Sequence, residues 1–115
     1  MSDKGALITS QAGMRLIAQQ TLLNRGDFAR LRGYIAENYA TAALDSQPVQ
    51  DRLEDLQALA EQAGKLRVYQ VVGASKHQAV AVMEAQRSDA FYMLQVAVEE
   101  DYPHKITAFI LSPLE

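Results

Sequence analysis

The chain reads as an α+β domain in which three N-terminal helices pack on a curved four-stranded antiparallel sheet. Two observations predict this. Apolar residues recur at helical spacing as far as Gly64 and give way to strand-like runs beyond it. Those runs, "KLRVYQVVGAS", "QAVAVMEAQ", "AFYMLQVAVEE" and "HKITAFILS", are rich in Val, Ile, Tyr and Phe and are separated only by the turn signals "KH", "RSD" and "DYP". Connections this short join antiparallel neighbours, and helices segregated from strands lie on one face of such a sheet.

Each element has its own signal. "TSQAGMRLIAQQTLLN", Thr9 to Asn24, sets Leu16, Ile17, Gln20 and Leu23 on one side, offers Thr9 or Ser10 as N-cap, and stops at Gly26. Asp27 caps the next helix, "FARLRGYIAENY", where Phe28, Leu31, Ile35 and Tyr39 share a face while Arg30, Arg32 and Glu37 turn outward. Gly33 weakens that helix slightly. "ATAALDSQ" reads as a connector. Pro48 then suits a first helical turn, and Asp51, Glu54 and Asp55 suit the positive end of the helix dipole. Val49, Leu53, Leu56, Ala60 and Ala63 form its stripe, and Gly64 ends it. Strands are expected near residues 65–75, 78–87, 90–100 and 104–112, with Leu53, Leu56 and Ala60 resting on Leu94, Val96 and Val98. Residues 1–8 are expected to be frayed, within one domain spanning 1–115.

Composition narrows the function classes. A chain of 115 residues fits one domain and hides roughly 65% of its unfolded surface, enough for a core without staples. With no cysteine there is no disulfide, thiolate metal site or cysteine nucleophile. The first residues, "MSDKGALITSQAGM", lack a basic region followed by a long apolar stretch, and no run approaches the ~20 apolar residues that span a bilayer, so a soluble, cytoplasmic protein without membrane contact is expected. Net charge is −3 with both signs interspersed, which leaves no electrostatic footprint for nucleic acid.

The strands carry a second message. Ala79 to Met83, Met93 to Val98 and Ile106 to Leu111 are apolar or small at nearly every position, whereas a sheet with one wet face alternates with polar residues. One face takes the helices. The other, where Met93, Gln95 and Ala97 alternate with the core-facing Leu94, Val96 and Val98 and where Phe109 or Ile110 must also emerge, is expected to take a second copy of the chain, the alternative being a strongly curved sheet whose outer face is lined with small residues.

Three stretches, "LLNRGDFARLRGYIAENYA", "RLEDLQALAEQAGKLRVYQV" and "VEEDYPHKITAFILSP", together resemble the small cystatin-like or nuclear-transport-factor-2-like α+β domain found N-terminal to many predicted secreted serine hydrolases. The similarity runs from about residue 14 to the end of the chain. It implies a curved sheet wrapped by helices, dimerisation through the sheet and a pocket between sheet and helices. It implies no activity, because the scaffold hosts isomerases, dehydratases, transport factors and domains without a known ligand. Nothing here resembles the hydrolase's Ser-x-x-Lys motif, and the hydrolase domain is expected to be absent.

Candidate chemistry is sparse. His104 could be a general base, but a histidine that follows a turn proline at the start of the last strand more naturally bonds the hairpin backbone. Glu84, after "AVAVM", could be a buried base of the ketosteroid-isomerase kind, with Tyr34, Tyr39, Tyr69 or Tyr92 as hydroxyl donor or ligand contact. No second buried acid matches that pattern. Glu99, Glu100 and Asp101 alternate between faces and do not converge on a metal, and His77 reads as a surface turn residue. The sequence therefore points to a dimeric, non-catalytic, cofactor-free domain that binds a small apolar ligand or a partner protein between helices and sheet, with a small isomerase or dehydratase as the alternative.

Overall fold

A computed structural model describes residues 10–87 and 89–114; the frayed segment expected at 1–8 lies outside them. Among the described residues α1 (Gln11–Arg25), α2 (Phe28–Asn38), α3 (Thr41–Ser46) and α4 (Val49–Ala63) precede β1 (Leu66–Ala74), β2 (Gln78–Ala85), β3 (Phe91–Val98) and β4 (Ile106–Pro113). The strands form one antiparallel meander in the order β1-β2-β3-β4, so the predicted α+β class holds. No helix among the described residues is long and apolar enough to cross a membrane.

The sequence reading counted three helices, and the structure has a fourth. "TAALDS", read as connector, winds into α3 because it carries good helix formers, buries Ala43, and has its last carbonyls satisfied from outside by Arg52. A short helix with no side-chain N-cap leaves little periodic signal to read.

A second correction concerns which helix covers the sheet. The stripe of α4 was expected on Leu94, Val96 and Val98, yet α1 is the helix that lies over β3, β2 and β1, and α4 packs on α2 and α1. Ser10 caps α1 by accepting from the Gly13 N–H at 2.9 Å. Gly26, at φ 68°, closes it in the left-handed conformation that glycine adopts without a Cβ clash. The buried stripe is Ala12, Leu16, Gln19 and Leu23; Gln20, assigned to that side from sequence, is only half-buried and donates to the Leu66 carbonyl at 2.9 Å. Polar clamps secure α1 at both ends. Asn24 accepts from the Leu66 N–H at 2.8 Å and donates to its carbonyl at 2.6 Å, while Arg15 Nη2 donates to the Pro103 carbonyl at 2.9 Å.

Strand alternation sorts the sheet residues. Ala79, Ala81, Met83 and Ala85 of β2 and Tyr92, Leu94, Val96 and Val98 of β3 are buried on the inner face. Val80, Val82 and Glu84 pair with Gln95, Met93 and Phe91 on the outer face. The β1 strand has register shifts between Val68 and Gln70 and between Val71 and Gly73; such bulges bend a strand and increase its twist.

The β3–β4 hairpin is closed by the Tyr102-Pro103-His104 turn. His104 holds φ at 59°, an uncommon conformation for a residue with a Cβ. Its N–H donates to the Asp101 carbonyl at 2.8 Å, and ring Nδ1 lies 3.0 Å from the Glu99 carbonyl. A carbonyl can only accept, so the ring proton sits on Nδ1. His104→Ala is expected to lower unfolding stability by about 1 kcal/mol, with His104→Gln close to wild type because an amide can replace the bond. A His104→Ala variant as stable as wild type in urea denaturation would show that the ring contact contributes nothing.

Candidate functional site

The residues proposed from sequence do not gather in one place. Glu84 stands on the outer face of β2, about a third exposed and ion-paired to Arg67 of β1. It lines a groove of about 430 Å³ with Asn24, Leu66, Ala85 and Gln86, but there the Arg67 cation pairs it, and no tyrosine hydroxyl bonds it among the described residues. His104 is occupied in the hairpin, its ring 6.0 Å from that of His77 and 6.3 Å from that of Tyr102. Tyr69 lies half-exposed on the outer face, edge-on to Phe91 at 5.0 Å. Tyr92 is buried on the inner face, in register with Met83 and Pro113. Tyr34 is half-buried on α2, where burial pushes its hydroxyl pKa up and the Arg15 cation opposes that shift. No cluster of three or more His, Cys, Asp or Glu able to hold a metal ion occurs among the described residues.

Of the four candidate tyrosines, Tyr39 lines a groove between helices and sheet. That groove, of about 380 Å³, runs between α4 and β4. Leu56 and Leu59 form one wall and Phe109 and Leu111 the other, with Tyr39 and Arg52 at the base and Gln47, Asp55 and Gln62 contributing polar groups. It forms because α1 occupies the sheet's inner face, which leaves α4 standing off the β4 edge instead of resting on it. Of the pair Phe109 and Ile110, it is Phe109 that turns to the helix side; Ile110 is half-exposed in register with Gln95.

Tyr39 is fixed from three directions. Its backbone makes a single parallel bridge with Ile106, and the adjacent Ala40 N–H donates to the Ile106 carbonyl at 2.8 Å. Its hydroxyl donates to Gln19 Oε1 at 2.8 Å, a bond buried in the core. The Arg52 guanidinium stacks 4.8 Å from its ring centroid. Burial pushes the Tyr39 hydroxyl pKa well up, with the Gln19 hydrogen bond and the Arg52 cation pulling against it. A phenol so held is a neutral hydrogen-bond donor engaged by an amide.

Gln19 and Arg52 escaped the sequence reading. Gln19 belongs to the spacing Ala12, Leu16, Gln19, Leu23, a helical stripe as good as the one chosen, but a polar residue within it is easily passed over. Its Nε2 is buried and has no partner among the described residues. Arg52 sits among Asp51, Glu54 and Asp55 and reads as part of a solvated face. Comparison with known protein families, curated proteins and solved structures found no match.

Removing the Tyr39 hydroxyl tests this arrangement. Tyr39→Phe leaves Gln19 Oε1 buried without its donor and is expected to cost about 1–3 kcal/mol at neutral pH. The variant should also respond less to alkali. Below about pH 10 the phenol is neutral in both states, and above it the unfolded chain releases a proton that the folded chain retains, so stability falls as pH rises. Urea unfolding across that range should show a shallower decline in Tyr39→Phe than in wild type; parallel declines would contradict the raised pKa.

Proposed function

We propose that this chain is a non-catalytic binding domain of the cystatin-like or nuclear-transport-factor-2-like kind, which takes a small, largely apolar ligand in the α4–β4 groove and pairs with a second copy through the outer face of its sheet. The observation that carries the reading is the groove itself. Its walls are apolar, its base is rigidly held, and its volume lies at the small end of the range for ligand pockets, roughly 300–1,000 Å³. The reading favours binding over isomerase chemistry because the tyrosine hydroxyl at the base is bonded to an amide, and the groove's carboxylate, Asp55, is exposed and accepts from Gln47 Nε2 at 2.8 Å. Acid–base catalysis needs a carboxylate or imidazole poised on a reacting proton.

The second copy is supported by the outer face. Val80, Val82, Phe91, Met93, Ala97 and Ala108 lie there around a central Gln95, with Tyr69 and Ile110 half-exposed beside them. Four strands of eight or nine residues present a face of about 500 Å² at usual strand spacing and rise. Pairing two such faces reaches the roughly 1,000 Å² that a stable interface needs. A cytoplasmic setting belongs to the same proposal.

Two experiments test the two halves. A thermal-shift screen with steroids, lipids and polyketide-like compounds should find stabilising ligands for wild type, and Leu59→Trp, which fills the groove, should abolish their effect. Shifts that persist in Leu59→Trp would place binding elsewhere. Light scattering at micromolar concentration should give a dimer mass for wild type and a monomer for Met93→Lys, since an unpaired buried charge costs several kcal/mol. A dimeric Met93→Lys, or a monomeric wild type, would end the dimer proposal.

A further inference from the structure

The α4–β4 groove contains a cation, Arg52, that makes no ion pair among the described residues, although the Asp55 carboxylate lies in the same groove. Arg52 Nε donates to the Gln47 carbonyl at 2.7 Å and Nη2 to the Ala43 carbonyl at 2.7 Å, both at the end of α3. These bonds use two of the five N–H groups of a guanidinium and hold its plane over the Tyr39 ring. The ion pairs among the described residues are Arg30 with Asp27 and Arg67 with Glu84, neither of them in the groove. Asp55, one turn along α4, is held by Gln47 Nε2.

We propose that the ligand is an amphipathic monocarboxylate, an aryl or short alkyl body lying between the Leu56–Leu59 and Phe109–Leu111 walls with its carboxylate on Arg52. This rests on the reading of the groove as a ligand site and goes further by assigning the ligand's charge. A half-buried cation is the costliest group in the groove to leave unpaired when an apolar body displaces water from it. Its carbonyl partners and the tyrosine ring already hold the guanidinium in place, so a carboxylate gains charge-assisted hydrogen bonds with little further ordering of the side chain. A cationic ligand would meet Arg52 with like charge, and a neutral one would leave its free N–H groups without acceptors. The apolar walls exclude a small inorganic anion as the whole ligand, because it would leave them uncovered.

The test is an NMR titration of the 115-residue chain with 4-phenylbutyrate and with its uncharged analogue 4-phenylbutyramide, following the backbone amides of Leu59 and Phe109. The acid should bind about tenfold or more tightly than the amide. Arg52→Gln should bring the acid down to the level of the amide. Because Arg52 also caps α3, a variant that leaves it in place is needed: Asp55→Asn removes the nearby negative charge, and should tighten the acid severalfold without changing the amide. Equal affinities for acid and amide in wild type, with Asp55→Asn indifferent to both, would overturn the charge assignment and leave the groove standing as an apolar site. Failure of both compounds to shift Leu59 and Phe109 would overturn the charge assignment and the groove reading together.

Discussion

The seating of α1 on the inner face of the sheet is the contact on which the rest depends. Small residues on β2, Ala79, Ala81 and Ala85, leave room for the helix to approach closely, and the larger Met83, Leu94 and Val96 share one buried core with Leu16, which is fully buried. A Leu side chain removed from water in this way contributes about 1.5–3 kcal/mol. Burial alone would let the helix slide or rotate on an apolar surface. Arg15 on the β3–β4 turn and Asn24 on the start of β1 remove that freedom, since each bonds a particular backbone group at opposite ends of the helix.

Two consequences follow for function. With α1 on the sheet, α4 is carried by α1 and α2 and stands off the β4 edge, which opens the groove. The Tyr39 hydroxyl then reaches Gln19 on α1, so the base of the groove and the core share one hydrogen bond. The same arrangement uses only one side of the sheet. The outer side is left mostly apolar around Gln95, with the Arg67–Glu84 pair at its β1–β2 end; a surface ion pair of that kind is worth at most about 1 kcal/mol and serves to limit the patch more than to stabilise the fold.

Strand positions were the most legible part of the fold. All four lie within a few residues of expectation because Val, Ile and Tyr runs interrupted by turn residues have few other solutions. The inward set Leu94, Val96 and Val98 also followed from alternation. What periodicity could not supply was the choice between helices. Both α1 and α4 carry an apolar stripe, and the decision rests on polar clamps between residues more than forty positions apart, Asn24 with Leu66 and Arg15 with Pro103. The site was less legible for a related reason. Tyr39 was one of four equivalent tyrosines in sequence; it becomes distinct only when Ile106 and Gln19 fix it from two distant segments. Arg52 was hidden among acids, and its capping of α3 could not be inferred while that helix itself read as connector.

The inner face of the sheet is closed by α1, and we propose that the outer face is closed by a second copy of the chain. Isotope-filtered nuclear Overhauser spectroscopy on a mixture of differently labelled chains tests it most directly. The account predicts intermolecular contacts between methyl groups of Met93, Val82 and Ile110, with none from Leu16 or Leu94. Intermolecular contacts confined to the helices, or none at concentrations well above micromolar, would contradict it.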